Sequence, residues 1–159
     1  MSHNHVVQAR RWSGTVKWNN DDLTVCDLQI QLPVQNLDVD PPSLQKRLKM
    51  NGEISKGQRK DIKKNMLAKG QLNAAKHSTI TFQSETCEEK QGKIYVNGIL
   101  QIRGKKSTVR SQISVQSSSM QLSGSFTIKS TDFGFPPYSG LMGAVKNRAD
   151  MKIYWRLSP

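Results

Sequence analysis

The sequence predicts an all-β fold, an antiparallel meander closing into an elongated barrel and interrupted once by helix. Three observations predict it. The apolar residues, 35% of the chain, fall into short runs that alternate with polar residues at period two, the pattern of half-buried strands. Short polar or glycine-bearing turns join most of these runs, so neighbours in sequence become neighbours in a sheet. Only one stretch, about residues 43–69, carries helical spacing. The 159 residues are the size of one ordinary domain, and residues 1–159 are taken as a single unit.

The first strand is expected from Val6 to Trp18, broken near Ser13-Gly14, with Trp12, Gly14, Val16 and Trp18 on one face. Asn19-Asn20-Asp21-Asp22 is a turn by composition. Leu23 to Val34 follows as a long strand, with Cys26, Leu28, Ile30, Leu32 and Val34 on one side. A slip of one residue would turn all of them outward, so this register is well specified. Asp40-Pro41-Pro42-Ser43 stops the sheet, and Ser43 is the expected N-cap of a short turn carrying Leu44 and Leu48. Ser55 caps a second helix that runs to about Ala68 and ends at Lys69-Gly70, with Ile62 and Met66 facing inward. This helix is expected to lie across one end of the sheet.

Four further strands then alternate with turns. They carry Ile80 and Phe82; Ile94, Val96, Leu100 and Ile102; Val109, Ile113 and Val115; and Met120, Leu122, Phe126 and Ile128. A last strand carries Met151, Ile153, Trp155 and Leu157. The count is seven. Strands of ten to twelve residues span roughly 35–40 Å at about 3.3 Å per residue, and long strands around a narrow barrel enclose a tube fit for one small ligand.

Charge is abundant and uneven. The net charge is +12, and the segment from Ser43 to Lys76 holds ten basic residues against two acidic ones, a net +8. A cluster from Lys46 to Lys69 would attract the phosphates of an anionic membrane or of nucleic acid; the alternative is a solvated helical face. Nucleic acid is the less favoured partner, because aromatic residues are only 6% and are not interleaved with the basic ones as a stacking platform requires. Cys26 and Cys87 are too few for a disulfide-built scaffold. They leave one bridge or two thiols open, and two free thiols are expected.

No motif of catalysis emerges. The sequence lacks a Gly-rich phosphate loop, a G-x-S-x-G elbow and an H-E-x-x-H helix, and its acidic residues are dispersed. His3-Asn4-His5 would place two imidazoles roughly 7 Å apart on a strand, but no third ligand accompanies them, so no metal is assigned. Asp132-Phe133-Gly134 matches a kinase metal-binding tripeptide in letters alone, without the loops that give it that role. No catalytic residue and no cofactor is assigned.

The segments that remain resemble a known family. Asn65-Met66-Leu67, Leu72-Asn73-Ala74 and Ile80-Thr81-Phe82-Gln83-Ser84 are similar in order and spacing to YceI-like proteins. So are Val96-Asn97-Gly98-Ile99-Leu100-Gln101-Ile102-Arg103-Gly104 and Gly124-Ser125-Phe126-Thr127-Ile128-Lys129-Ser130-Thr131-Asp132-Phe133-Gly134. The Ile-Arg-Gly and Asp-Phe-Gly elements are the most specific, and His3-Asn4-His5 resembles a subgroup with an N-terminal H-x-H.

The resemblance implies a lipocalin-like, eight-stranded extended barrel whose cavity holds a polyisoprenoid or similar amphiphile, in a family many of whose members are periplasmic. Seven strands against eight implies that the family's first strand is missing, which would expose two strand edges and favour a homodimer. His77-Ser78 stands where the family often has Tyr-Pro. The expected function is non-catalytic binding of an isoprenoid, quinone or fatty-acyl chain, the alternative being a basic module for nucleic acid or anionic membrane. The expected ligand contacts are Trp18, Leu28, Ile30, Phe82, Leu100 and Phe126 in the interior, with Phe133, Phe135 and Tyr138 shaping the mouth. Localisation is expected to be periplasmic, with cytoplasmic as the alternative because no signal peptide is visible.

Overall fold

The computed structural model describes residues 5–50, 52–119, 121–140 and 145–158. His3, Met120 and Leu141-Met142-Gly143 lie outside the described residues.

Seven strands form one antiparallel sheet. In chain order they are β2 (Ser13–Trp18), β3 (Cys26–Pro33), β5 (Thr79–Lys90), β6 (Lys93–Ile102), β7 (Lys105–Gln116), β8 (Gln121–Lys129) and β11 (Asp150–Leu157). Their spatial order is β11-β8-β7-β6-β5-β3-β2, an up-and-down meander. Two small ribbons sit beside it: β1 (Val7–Ala9) pairs with β4 (Leu37–Val39), and β9 (Ser139–Gly140) with β10 (Val145–Lys146). The sheet curls into a half-barrel. It is open between β2 and β11 among the described residues. With seven alternating strands these two edges run in the same direction, so they could not join as an antiparallel pair.

The turns explain where sequence boundaries shifted. The strand that carries Ile80 and Phe82 continues through the polar Glu88-Glu89-Lys90, because the turn is made only by Gln91 (φ 53°) and Gly92 (φ 70°), a two-residue hairpin. Both central residues have positive φ, as the favoured tight hairpin turn demands. Arg103 (φ 53°) and Gly104 (φ 72°) do the same between β6 and β7. The expected first strand divides at Arg10–Trp12 instead of at Gly14, and its first half pairs outside the main sheet. Gly14 is inside β2, where a Cβ would lie 1.8 Å from the Gln29 carbonyl oxygen. Only glycine allows that approach.

The helical excursion is as expected, with one correction. Helix α1 (Pro42–Arg47) begins from Pro41, not Ser43: the two prolines fix the extended-to-helical entry, with Pro42 at the first helical position. Helix α2 (Lys56–Leu67) is capped by Ser55, whose side chain accepts from Gln58 N while Gln58 reaches back to Ser55 N. This reciprocal box satisfies two donors that helix geometry leaves unpaired. Met66 and Leu67 pack on the core cluster around Phe133.

The cysteine expectation is overturned. Cys26 and Cys87 form a disulfide, their Cα atoms 6.0 Å apart, a separation within the range a bridge spans. Sequence places them 61 residues apart; the pairing of β3 beside β5 brings them together.

Candidate functional site: the concave face

The register puts one apolar set on the inside of the curl. Leu28 pairs with Val16, Ile30 with Phe82, and Phe82 with Leu100. On the other side of the sheet Gly124 pairs with Trp155, and Phe126 with Ile153. These residues form two clusters along the groove. One centres on Phe133, Leu100, Ile102 and Val109, under α2; the other on Leu28, Val96, Ile113, Leu122 and Leu157, at the opposite end. Phe82 packs against both.

Two glycines shape the groove floor. A Cβ on Gly98 would lie 2.7 Å from the Phe82 ring, and one on Gly124 would lie 2.8 Å from the Trp155 indole. Each glycine lets an aromatic ring lie close over the wall. Trp155 is also fixed by its edge, since its Nε1 donates to Ser111 Oγ at 2.9 Å. Ser111 is buried, and its hydroxyl lies 3.2 Å from the Ser125 carbonyl oxygen and 3.1 Å from its Gln112 counterpart. A polar anchor is thereby satisfied inside an apolar wall, as burial requires.

The expected ligand residues divide by exposure. Trp18, Ile30, Phe82 and Phe126 are half-buried on the open inner face, while Leu28 and Leu100 are buried beneath it. Phe133 is 0% and Phe135 6% exposed, so these two rings are core beneath α2 rather than walls of an opening. Tyr138 is half-buried, and its hydroxyl accepts from Asn65 Nδ2 at 3.1 Å. It lines a surface cleft of about 570 Å³ together with Asn65, Ala68, Gln71, Pro137 and Lys146. The structure therefore joins the six interior residues on one face and separates Tyr138 from its two aromatic neighbours. Sequence reasoning omitted Met151, Ile153 and Trp155 from the ligand set, although period-two alternation had put them on one face. Ser111 gave no sequence signal at all.

The two most specific motif elements meet in space. Arg103, of the Ile-Arg-Gly element, donates to the carbonyl of Gly134, of the Asp-Phe-Gly element, and to the Lys69 carbonyl at 3.1 Å. Gly134 (φ 75°) ends a 3-10 turn in the left-handed region, with Phe133 sealed behind it. The tripeptide is a structural clasp between two strand ends and the segment after α2.

Charged groups lie outside the groove. His5 Nδ1 sits 2.7 Å from the fully buried Asp40 carboxylate, which also accepts from Val6 N. This pair pins the chain before β1 to the end of β4. Among the described residues no three metal-ligating side chains converge. On α2, Lys63 bonds the Gln35 carbonyl and lies 3.9 Å from Asp38, whereas Lys56, Lys60 and Lys64 form an exposed stripe with no ion pair among the described residues.

The decisive comparison is with protein families: a model described as the YceI-like domain matches residues 1–157. The chain belongs to the YceI-like family. Among curated proteins no match is found. Solved structures share the fold. Burkholderia cenocepacia BcnA is 18% identical, with a TM-score of 0.71 over 94% of this chain and 84% of that one. A mutant CJ YCEI protein crystallised with a monobromobimane guest structure is 13% identical, with a TM-score of 0.71 over 100% of this chain and 86% of the other. The Campylobacter jejuni YCEI protein is also 13% identical, with a TM-score of 0.63 over 100% and 88%. Membership of the YceI-like family supports, at the level of the family, a lipid- or isoprenoid-binding barrel.

Proposed function

We propose that this YceI-like chain carries an elongated apolar amphiphile, an isoprenoid, quinone or fatty-acyl chain, along the concave face of its half-barrel. The observation that carries the proposal is a continuous apolar face left only half-covered. Trp18, Ile30, Phe82, Phe126, Ile153 and Trp155 share one side of a curled sheet whose two edges do not meet among the described residues. Half-exposed rings in a groove still have contact area to give, and each methylene they cover contributes about 0.8 kcal/mol before ordering costs. Native mass spectrometry of the purified protein, followed by lipid extraction, tests this directly. Recovery of a bound chain of about fifteen carbons or more supports the reading; a ligand-free protein that no such chain stabilises refutes it.

Three further parts of the proposal rest on separate observations. The exposed Lys56-Lys60-Lys64 stripe favours contact with an anionic membrane surface, where a lipid cargo would be gained or given up. The Cys26–Cys87 bridge favours an oxidising compartment such as the periplasm, where disulfides persist. The edges of β2 and β11, unpaired among the described residues, are templates for pairing with a second copy, and sedimentation velocity over a concentration series reports whether a homodimer forms.

A further inference from the structure

The groove end centred on Leu28, Val96, Ile113, Leu122 and Leu157 is bordered by the β2–β3 hairpin, which gives Leu28, Trp18 and Cys26 to that cluster but has few backbone ties to β5 past Gln29. The β3–β5 ladder runs from Pro33–Thr79 only as far as Gln29–Gln83. Beyond it the link passes to one side chain. Ser84 Oγ accepts from Leu28 N at 2.8 Å and donates to the Cys26 carbonyl at 3.1 Å. The β5–β6 pairing also shifts register between Ser84 and Thr86, an irregularity in β5 at the point where its ladder with β3 has ended. On its other side, β2 has no partner besides β3 among the described residues.

The hairpin tip is stiff and reaches across the groove end. The Asp22 carboxylate accepts from the Thr24 hydroxyl at 2.6 Å and the Thr24 amide at 3.0 Å, bonds that hold its pKa below the ordinary carboxylate value. Trp18 Nε1 donates to Asn20 Oδ1 at 2.7 Å, and Asn20 Nδ2 contacts Ser117 Oγ, in the turn between β7 and β8, at 3.4 Å. That last contact is long and exposed, so it guides the tip without securing it. The disulfide sits where the backbone ladder has ended. Both cysteines are half-buried, and a cleft of about 310 Å³ lined by Leu23, Thr24, Glu85 and Thr86 opens onto them.

We propose that the Cys26–Cys87 bridge is a redox clasp, which holds the β2–β3 hairpin as a flap over one end of the apolar groove and frees it on reduction. A dithiol reductant reaches the sulfurs through the cleft. Its thiolate attacks one sulfur to give a mixed disulfide, and its second thiol closes its own disulfide. Two electrons and two protons thus pass to Cys26 and Cys87, which become thiols. The five-residue β3–β5 ladder then acts as hinge, and the tip leaves Ser117. Movement of the flap stands on the hairpin's contacts alone; the consequence that a bound chain leaves faster rests on the groove-binding reading.

Hydrogen exchange with mass spectrometry on the full chain tests the clasp, comparing the oxidised protein, the protein in dithiothreitol, and the double variant Cys26→Ala with Cys87→Ala. Once released from β5 and the groove, the two-stranded hairpin is only marginally stable by itself, so amides from Val16 to Leu28 should exchange at least tenfold faster in both bridge-free forms, with less than a threefold change in β6 and β8. Unchanged protection from Val16 to Leu28 overturns the proposal, and so does equal acceleration of every strand, which would make the bridge a general staple. A second arm follows dissociation of cis-parinaric acid, whose exit should be at least tenfold faster from the reduced form. Equal exit rates overturn the release step. A probe that binds neither form refutes groove binding, while the exchange result still decides the clasp.

Discussion

The residues that matter most to the groove include two that have no side chain. Gly98 and Gly124 are where the Phe82 and Trp155 rings come down on the sheet, and aromatic contact across a strand glycine replaces the packing the glycine lacks. A side chain at Gly98 would meet both the Gln83 carbonyl oxygen, 2.4 Å away, and the Phe82 ring. Gly98→Val is therefore expected to destabilise the protein by about 1–3 kcal/mol, the usual range for overpacking, measured by urea denaturation, and to displace Phe82 into the groove. An unchanged midpoint would mean that the ring moves aside without cost. Ser111 offers a subtler test. Removing its hydroxyl leaves the Trp155 indole N–H without its protein partner; because Trp155 is only half-buried, water can replace part of the bond. Ser111→Ala is expected to cost about 1 kcal/mol and to change the Trp155 emission. The sequence revealed neither role, because both depend on which residue of a neighbouring strand lies opposite.

Among the elements, α2 is the most legible and the most divided. Its Ser55 cap, its inward Met66 and its basic outer surface can all be read from spacing. Only the structure separates Lys63, tied to Gln35 and Asp38, from the exposed Lys56, Lys60 and Lys64. Reversing the three exposed lysines to Glu is expected to weaken binding to anionic liposomes at low salt by about 1 kcal/mol per charge, read by co-sedimentation. The fold should be untouched, since none of the three is buried. Association that survives the reversal would reduce the stripe to a solvated face. The strand boundaries show the opposite balance. The strands of the meander were legible from alternation and turn composition, but the length of β5 was not: Glu88, Glu89 and Lys90 look like a turn, yet they pair with Tyr95, Ile94 and Lys93. At a hairpin end both faces are wet, so polarity carries no information about pairing there.

At the scale of the whole molecule, groove and basic surface predict different responses to salt. Binding of an apolar chain should be nearly unaffected between 50 and 500 mM salt (an interval of about one decade), because burial of apolar surface does not depend on counterions. Association with phosphate-bearing surfaces or nucleic acid should fall steeply over the same interval. Measuring both on one preparation separates the two kinds of partner. A saturating ligand for the groove should also raise thermal stability, by about 2.7 kcal/mol at a hundredfold excess over Kd, seen as a shift in Tm. A salt-steep response of groove binding would place the ligand on the lysines instead.

The sequence by itself determined the all-β class, the seven strands of the main sheet, their inner faces, the helical interruption and the family. These depend on local periodicity, turn chemistry and motif order, all of which are written along one dimension. It also picked out Trp18, Leu28, Ile30, Phe82, Leu100 and Phe126 as residues of one face, since alternation within each strand survives into the sheet. Tertiary structure alone decided the rest. It made Cys26 and Cys87 partners, buried Phe133 and Phe135 while leaving Tyr138 at the surface, and joined Arg103 to Gly134. Among the described residues it also left the curl open between β2 and β11. Each of these depends on distances between segments far apart in the chain, and those are set by strand register, curvature and packing that no local pattern records.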